Sequence, residues 1–209
     1  MENKNQWISK LLLAIGTVLL IGSLAGLFWL NNKLGEHKQK LSSPVLPALV
    51  QLPPFSLVER SNNPFGLDDL KGSVWIADFI FTRCAGPCPL MSSRMSKLQN
   101  TFREKSSLRL VSITVDPEYD TPQVLSVYAN RFQATKDRWY FLTGDKARIH
   151  ELAKGGFLVG GVEDVTLHST RFILVDRQGR IRAYYDSQDD QDIQKLVQDA
   201  GILLREVAS

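Results

Sequence analysis

Apolar positions along this chain fall into a long unbroken run followed by short periodic ones. From Leu11 to Leu30 the sequence LLLAIGTVLLIGSLAGLFWL carries no charge, and about 20 apolar residues are what a helix needs to cross a bilayer core. Lys10 precedes the run and Asn31, Asn32 and Lys33 follow it, with Trp7 and Trp29 where interfacial anchors sit. The pattern predicts a membrane anchor over 11–30 behind a cytoplasmic tail at 1–10. The triplet Ser23-Leu24-Ala25 would also suit a cleaved signal peptide, but the run continues through Phe28-Trp29-Leu30 and is long for such a peptide. Lysines on both sides leave the orientation open; a single early span followed by all the remaining sequence predicts a domain on the outer, periplasmic or equivalent, face. Residues 31–54 turn polar, with prolines at 44, 47, 53 and 54 and no sustained period, which predicts a linker.

Beyond the linker, strand-like and helix-like periods alternate. Phe55-Ser56-Leu57-Val58 alternates like a strand, Asn62-Asn63-Pro64-Phe65-Gly66 carries turn chemistry, and Leu67 to Gly72 reads as a helical turn closed by glycine. Residues 74–81, VWIADFIF, are nearly continuous in apolar character, as in a central strand covered on both faces. Leu90, Met91, Met95, Leu98 and Phe102 recur at helical spacing and predict a helix beginning near Cys88. A second buried strand over 108–115 ends at Asp116-Pro117, Thr121 caps a helix over 122–132, and 139–142 is a short strand. Asp145 to Lys154 is helical up to Gly155-Gly156. Residues 170–175 and 180–185 form a hairpin through the Asp176–Gly179 turn, and 190–204 is a closing helix. Strand, helix, strand, helix, then hairpin and helix is the order of a thioredoxin-like α/β fold. The prediction for 55–209 is therefore a central mixed β-sheet flanked by helices, behind the N-terminal transmembrane helix.

Composition narrows the function classes. The 209 residues are 44% hydrophobic, ordinary for a packed domain, and 25 Lys and Arg against 22 Asp and Glu leave a net charge of +3. That excess is too small and too evenly spread for a nucleic-acid binder.

The chain's two cysteines stand together in Phe81-Thr82-Arg83-Cys84-Ala85-Gly86-Pro87-Cys88-Pro89, directly after the apolar run. In open α/β sheets, ligand chemistry collects beyond the carboxyl ends of strands, and this loop occupies one. Two thiols at this spacing either converge on a soft metal ion or close a small disulfide. A purely stabilising disulfide is the weaker reading, because so small a loop constrains the unfolded chain little. The helix N-terminus and Arg83 predict ionised thiolates. Imidazole is the natural third ligand for copper, and the chain has three histidines. His37 lies in the linker, and His150 reads as a solvated helix residue. His168 sits in a loop before a strand predicted near the sheet centre and is the candidate. Met91 and Met95 at helical spacing read as core filler.

At this point the residues resemble the SCO/SenC family of membrane-anchored copper proteins. The matching pieces are FTRCAGPCP at 81–89, VDPEYDTP at 115–122, LTG at 142–144 and LHSTRFILVD with the following QG at 167–179. The resemblance implies a thioredoxin-like domain that takes part in assembling the dinuclear copper site of cytochrome c oxidase. It implies Cys84, Cys88 and His168 as copper ligands, a soft set for Cu(I) that needs an added ligand for Cu(II). Asp116, Glu118 and Asp120 fall in the family's DPE-x-D segment, where turn capping is expected over orientation of the site. The family often has an acid between the cysteines, and here Ala85-Gly86-Pro87 takes its place, which puts charge-based docking at that loop in doubt. The expected role is a metallochaperone whose partners are the oxidase copper-site subunit and a thioredoxin-like reductant. The competing roles are a thiol-disulfide oxidoreductase acting through Cys84 and Cys88, and a copper or redox sensor.

Overall fold

A computed structural model describes residues 15–17, 19, 22–29, 46–159 and 169–206, in two units that divide between Val45 and Leu46. In the first unit the described residues are helical, and Ile15, Leu19, Leu24, Leu27, Phe28 and Trp29 are exposed. Among the described residues no helix is long and apolar enough to cross a membrane. The predicted tail, parts of the predicted span and most of the predicted linker, with His37, lie outside them.

The second unit is built on one eight-stranded mixed sheet. Its strands are β1 (Val50–Gln51), β2 (Ser56–Glu59), β3 (Pro64–Gly66), β4 (Val74–Ile80), β5 (Leu108–Thr114), β6 (Trp139–Thr143), β7 (Arg171–Val175) and β8 (Arg180–Asp186), in the order β1-β8-β7-β4-β5-β6-β2-β3. The helices are α1 (Leu67–Leu70), α2 (Pro87–Thr101), α3 (Pro122–Arg131), α4 (Lys146–Glu151) with a π-turn at Leu152–Gly156, and α5 (Asp190–Arg205). β4, β5 and β6 run parallel, while β7 lies antiparallel against β4. Every residue of β4 is buried, as its sequence requires of a strand packed on both faces. Val74, Ile76 and Ile80 meet α2, α3 and α5 in one core; Trp75, Ala77 and Phe79 meet Ile149, Leu152 and Phe157 in the other.

Two short elements escape the sequence pattern. The compact unit already begins at Leu46, so the linker predicted to reach 54 ends sooner. β1 pairs Val50 with Ile181, and Leu52 is buried; a two-residue strand beside prolines has no period to read. Asn62–Gly66, expected to be only a turn, supplies β3, which pairs with β2 through Leu57 and Phe65.

Arg182, 4% exposed, fastens the start of this unit to its end. It donates to Asp176 at 3.0 Å, to Glu206 at 3.1 Å and to the carbonyls of Leu46 and Pro47 at 3.0 and 3.1 Å. Removing one partner of a buried pair leaves an uncompensated charge and costs about 3–5 kcal/mol. Arg182→Met is therefore expected to lower the urea midpoint by that equivalent, and an unchanged midpoint would refute the clamp.

Candidate metal and redox centre

The cysteines sit where two parallel strands end side by side. β4 and β5 are in register from Val74 with Leu108 to Ile80 with Thr114, so the loops that follow them are neighbours. The first loop is a tight turn in which the Cys84 amide donates to the Phe81 carbonyl at 3.2 Å. α2 then starts at Pro87, with proline in its first turn, where a missing amide costs nothing. Cys84 and Cys88 are free thiols, 8% and 3% exposed, while Ala85, Gly86, Pro89 and Leu90 around them are exposed. Arg83, at the start of the loop, is exposed as well.

The Cys88 thiol is not poised as the sequence predicts. Burial pushes Cys88 up to about 12; a hydrogen bond from the Phe81 backbone opposes this, while the hydrogen bond to Cys84 and the nearby Asp78 add to it. Arg83 is directed elsewhere: its guanidinium donates to Asp116 at 2.7 Å and lies 4.2 Å over the Tyr119 ring. Desolvation outweighs the helix N-terminus here, and Cys88 is held as a thiol.

Asp78, unremarked in the sequence pattern, is the residue that sequence reasoning missed. It lies in the middle of β4, wholly buried, and neither carboxylate oxygen has a hydrogen-bonding partner among the described residues. Burial pushes it up to about 7, offset in part by the Ser112 hydroxyl. That offset is a weak one: the contact falls outside hydrogen-bonding geometry, and the same hydroxyl accepts from Trp139 Nε1 at 2.9 Å. Tyr128, hydrogen-bonded to Ser92 at 2.9 Å, is pushed up by burial and further by Asp78, Cys88 and Cys84. The signal for Asp78 was available as a lone acid inside VWIADFIF; nothing in the sequence marks Ser92 or Tyr128.

The DPEYD segment divides by role. Asp120 is fully buried and bonded to Thr82 in the loop after β4 and to Thr114 at the end of β5, so its contacts reach beyond its own turn. Asp116 pairs with Arg83, and Glu118 pairs with Lys146 at 3.3 Å on the surface. Met91 and Met95 are buried in the core against α2's neighbours, as filler should be. His168 lies outside the described residues, and among the described residues no three His, Cys, Asp or Glu side chains form a group able to hold a metal ion. Two soft sulfurs meeting at one point nonetheless fit a soft cation such as Cu(I).

Comparison with known proteins shows the family of the chain. The family model described as SCO1/SenC matches residues 47–200. The SCO1 protein homolog of Bacillus subtilis is 33% identical over 159 residues, covering 73% of this chain and 82% of its own length. Among solved structures, BsSco, described as carrying a disulfide switch and as a member of the Sco family of cytochrome c oxidase assembly proteins, superposes with a TM-score of 0.68 at 31% identity, covering 77% of this chain and 97% of its own. Yeast Sco1 with copper bound superposes with a TM-score of 0.61 at 25% identity, covering 77% and 92%. Over residues 47–200, from just before β1 into the closing helix, this chain is a member of the SCO1/SenC family.

Proposed function

We propose that this protein is a membrane-anchored copper metallochaperone that holds copper through Cys84, Cys88 and His168 and delivers it to the dinuclear copper site of cytochrome c oxidase. The observation that carries the reading is the pair of free, buried thiols, Cys84 and Cys88, near enough to influence each other's proton, in the loop that follows β4. His168 precedes Arg171 by three residues in the chain, and the antiparallel pairing of β7 with β4 brings Arg171 to the end of the sheet that carries the cysteine loop. Two thiolates and an imidazole would suit Cu(I), and Cu(II) would recruit one more oxygen ligand. Yeast Sco1 was solved with copper bound, and BsSco is described as a member of the Sco family of cytochrome c oxidase assembly proteins, which supports both the cargo and the recipient. The apolar run at 11–30 supports a single-pass anchor with the domain on the outer face, where a thioredoxin-like partner would keep the thiols reduced.

The closeness of the thiols also supports a second reading, thiol-disulfide exchange with the cysteines of the oxidase subunit. Anaerobic Cu(I) titration of the reduced full-length chain separates the two. One tight equivalent is expected, weakened at least tenfold in His168→Ala, while exchange with a small disulfide persists in that variant. Equal affinity in both proteins would remove His168 from the ligand set, and no copper binding in either would leave the exchange reading.

A further inference from the structure

We propose that Asp120 is the positioning residue of the cysteine loop: its carboxylate fixes Thr82 and thereby sets how closely Cys84 approaches Cys88. The inference deepens the assignment of the cysteine pair as the site but depends on the thiols alone, not on copper.

Phe81 to Cys84 is a four-residue turn closed by the Cys84 amide, so its shape is set by Thr82 and Arg83 at its centre. Both are held from the neighbouring loop. The Thr82 amide donates to Asp120 Oδ2 at 3.0 Å, the Thr82 hydroxyl donates to Oδ1, and the Thr114 hydroxyl donates to Oδ2 at 2.5 Å. Arg83 reaches Asp116, but that guanidinium is 58% exposed and the pair is screened by solvent. The Asp120 bonds are the strong ones, because the carboxylate is fully buried and accepts from three donors.

Asp120 is itself held rigidly. Its amide donates to the Asp116 carbonyl at 2.9 Å, and the Asp116 amide donates to the Thr114 hydroxyl at 3.0 Å. Thr114 ends β5 and pairs with Ile80 at the end of β4. The chain of support runs from the sheet through Thr114 to Asp120, across 38 residues of sequence to Thr82, and two residues on to Cys84. A carboxylate that only capped its own loop would have no reason to take two hydrogen bonds from Thr82.

Loosening the turn lowers the effective concentration of one thiol at the other, which disfavours ring closure. The test equilibrates the full-length chain with mixtures of reduced and oxidised dithiothreitol. In that exchange the S–S bond of oxidised dithiothreitol breaks, the Cys84–Cys88 bond forms, and two electrons and two protons pass to dithiothreitol. Thr82→Val and Asp120→Asn are expected to lower the equilibrium constant for disulfide formation about tenfold, with Thr82→Ser, which keeps the hydroxyl, within twofold of the parent. A Thr82→Val value within twofold of the parent, or a Thr82→Ser shift as large as that of Thr82→Val, overturns the inference. If Asp120→Asn does not fold, the two Thr82 variants decide it. A parent protein that binds no copper would refute the copper reading and leave this equilibrium untouched.

Discussion

Between pH 4 and pH 8, the stability of this protein relative to Asp78→Asn is expected to fall by about 4 kcal/mol. Asp78 has a folded-state value of about 7 against an ordinary 3.8, a rise of roughly 3 units at about 1.4 kcal/mol each. The sign follows from proton counting. Between the two values the folded state holds a proton that the unfolded state has released, so stability drops as pH rises through this window. Below the ordinary carboxylate range the contribution is fully present, and above the folded value it is gone. Urea unfolding of the parent and of Asp78→Asn at pH 4, 5, 6, 7 and 8 reads it, and taking the difference cancels all other groups that titrate alike in both. Parallel profiles would show that Asp78 is not the buried acid described. A charged carboxylate without a hydrogen bond is costly, and a fold that keeps one in its central strand, on the face that packs Cys88 and Tyr128, gives up stability at neutral pH to do so.

Long periodic elements were readable because their burial is decided by their own sequence. VWIADFIF became the central strand, and the helix over 90–102 formed on schedule with its first turn at Cys88. Short elements were not readable, since β1 and β3 exist only through the partners they find on β8 and β2. At the site, the spacing of Cys84 and Cys88 revealed the chemistry, and the family motif revealed the DPEYD segment. Neither could assign roles within it. Asp116 and Asp120 look equivalent in sequence, yet one is half-buried and paired with the exposed Arg83 while the other is sealed beneath Thr82 and Thr114. The expected thiolate at Cys88 failed for a related reason: a helix N-terminus is visible in sequence, whereas the depth at which Cys88 is buried is not.

That depth makes Cys88 a slow nucleophile. In the folded, reduced protein at pH 7, alkylation of Cys88 by iodoacetamide is expected to be more than a hundredfold slower than in the urea-unfolded chain. Only the thiolate reacts, and each unit of upward shift removes tenfold of it; burial moves Cys88 from 9.0 to about 12, with the restricted access of a 3% exposed residue adding to the effect. Peptide-resolved labelling from pH 6 to pH 10 should show the folded-state rate still climbing about tenfold per pH unit at the top of the range. A plateau near pH 9 would sink the prediction. Asp78→Asn removes one of the charges that hold the proton on and should raise the rate. The consequence reaches the function. A thiol that stays protonated at neutral pH is poorly prepared to attack a disulfide unaided. A soft cation supplies its own driving force, displacing the protons as it binds, so affinity should rise with pH. The same burial that silences Cys88 as a nucleophile leaves it available as a ligand, which supports the proposed copper reading over disulfide exchange.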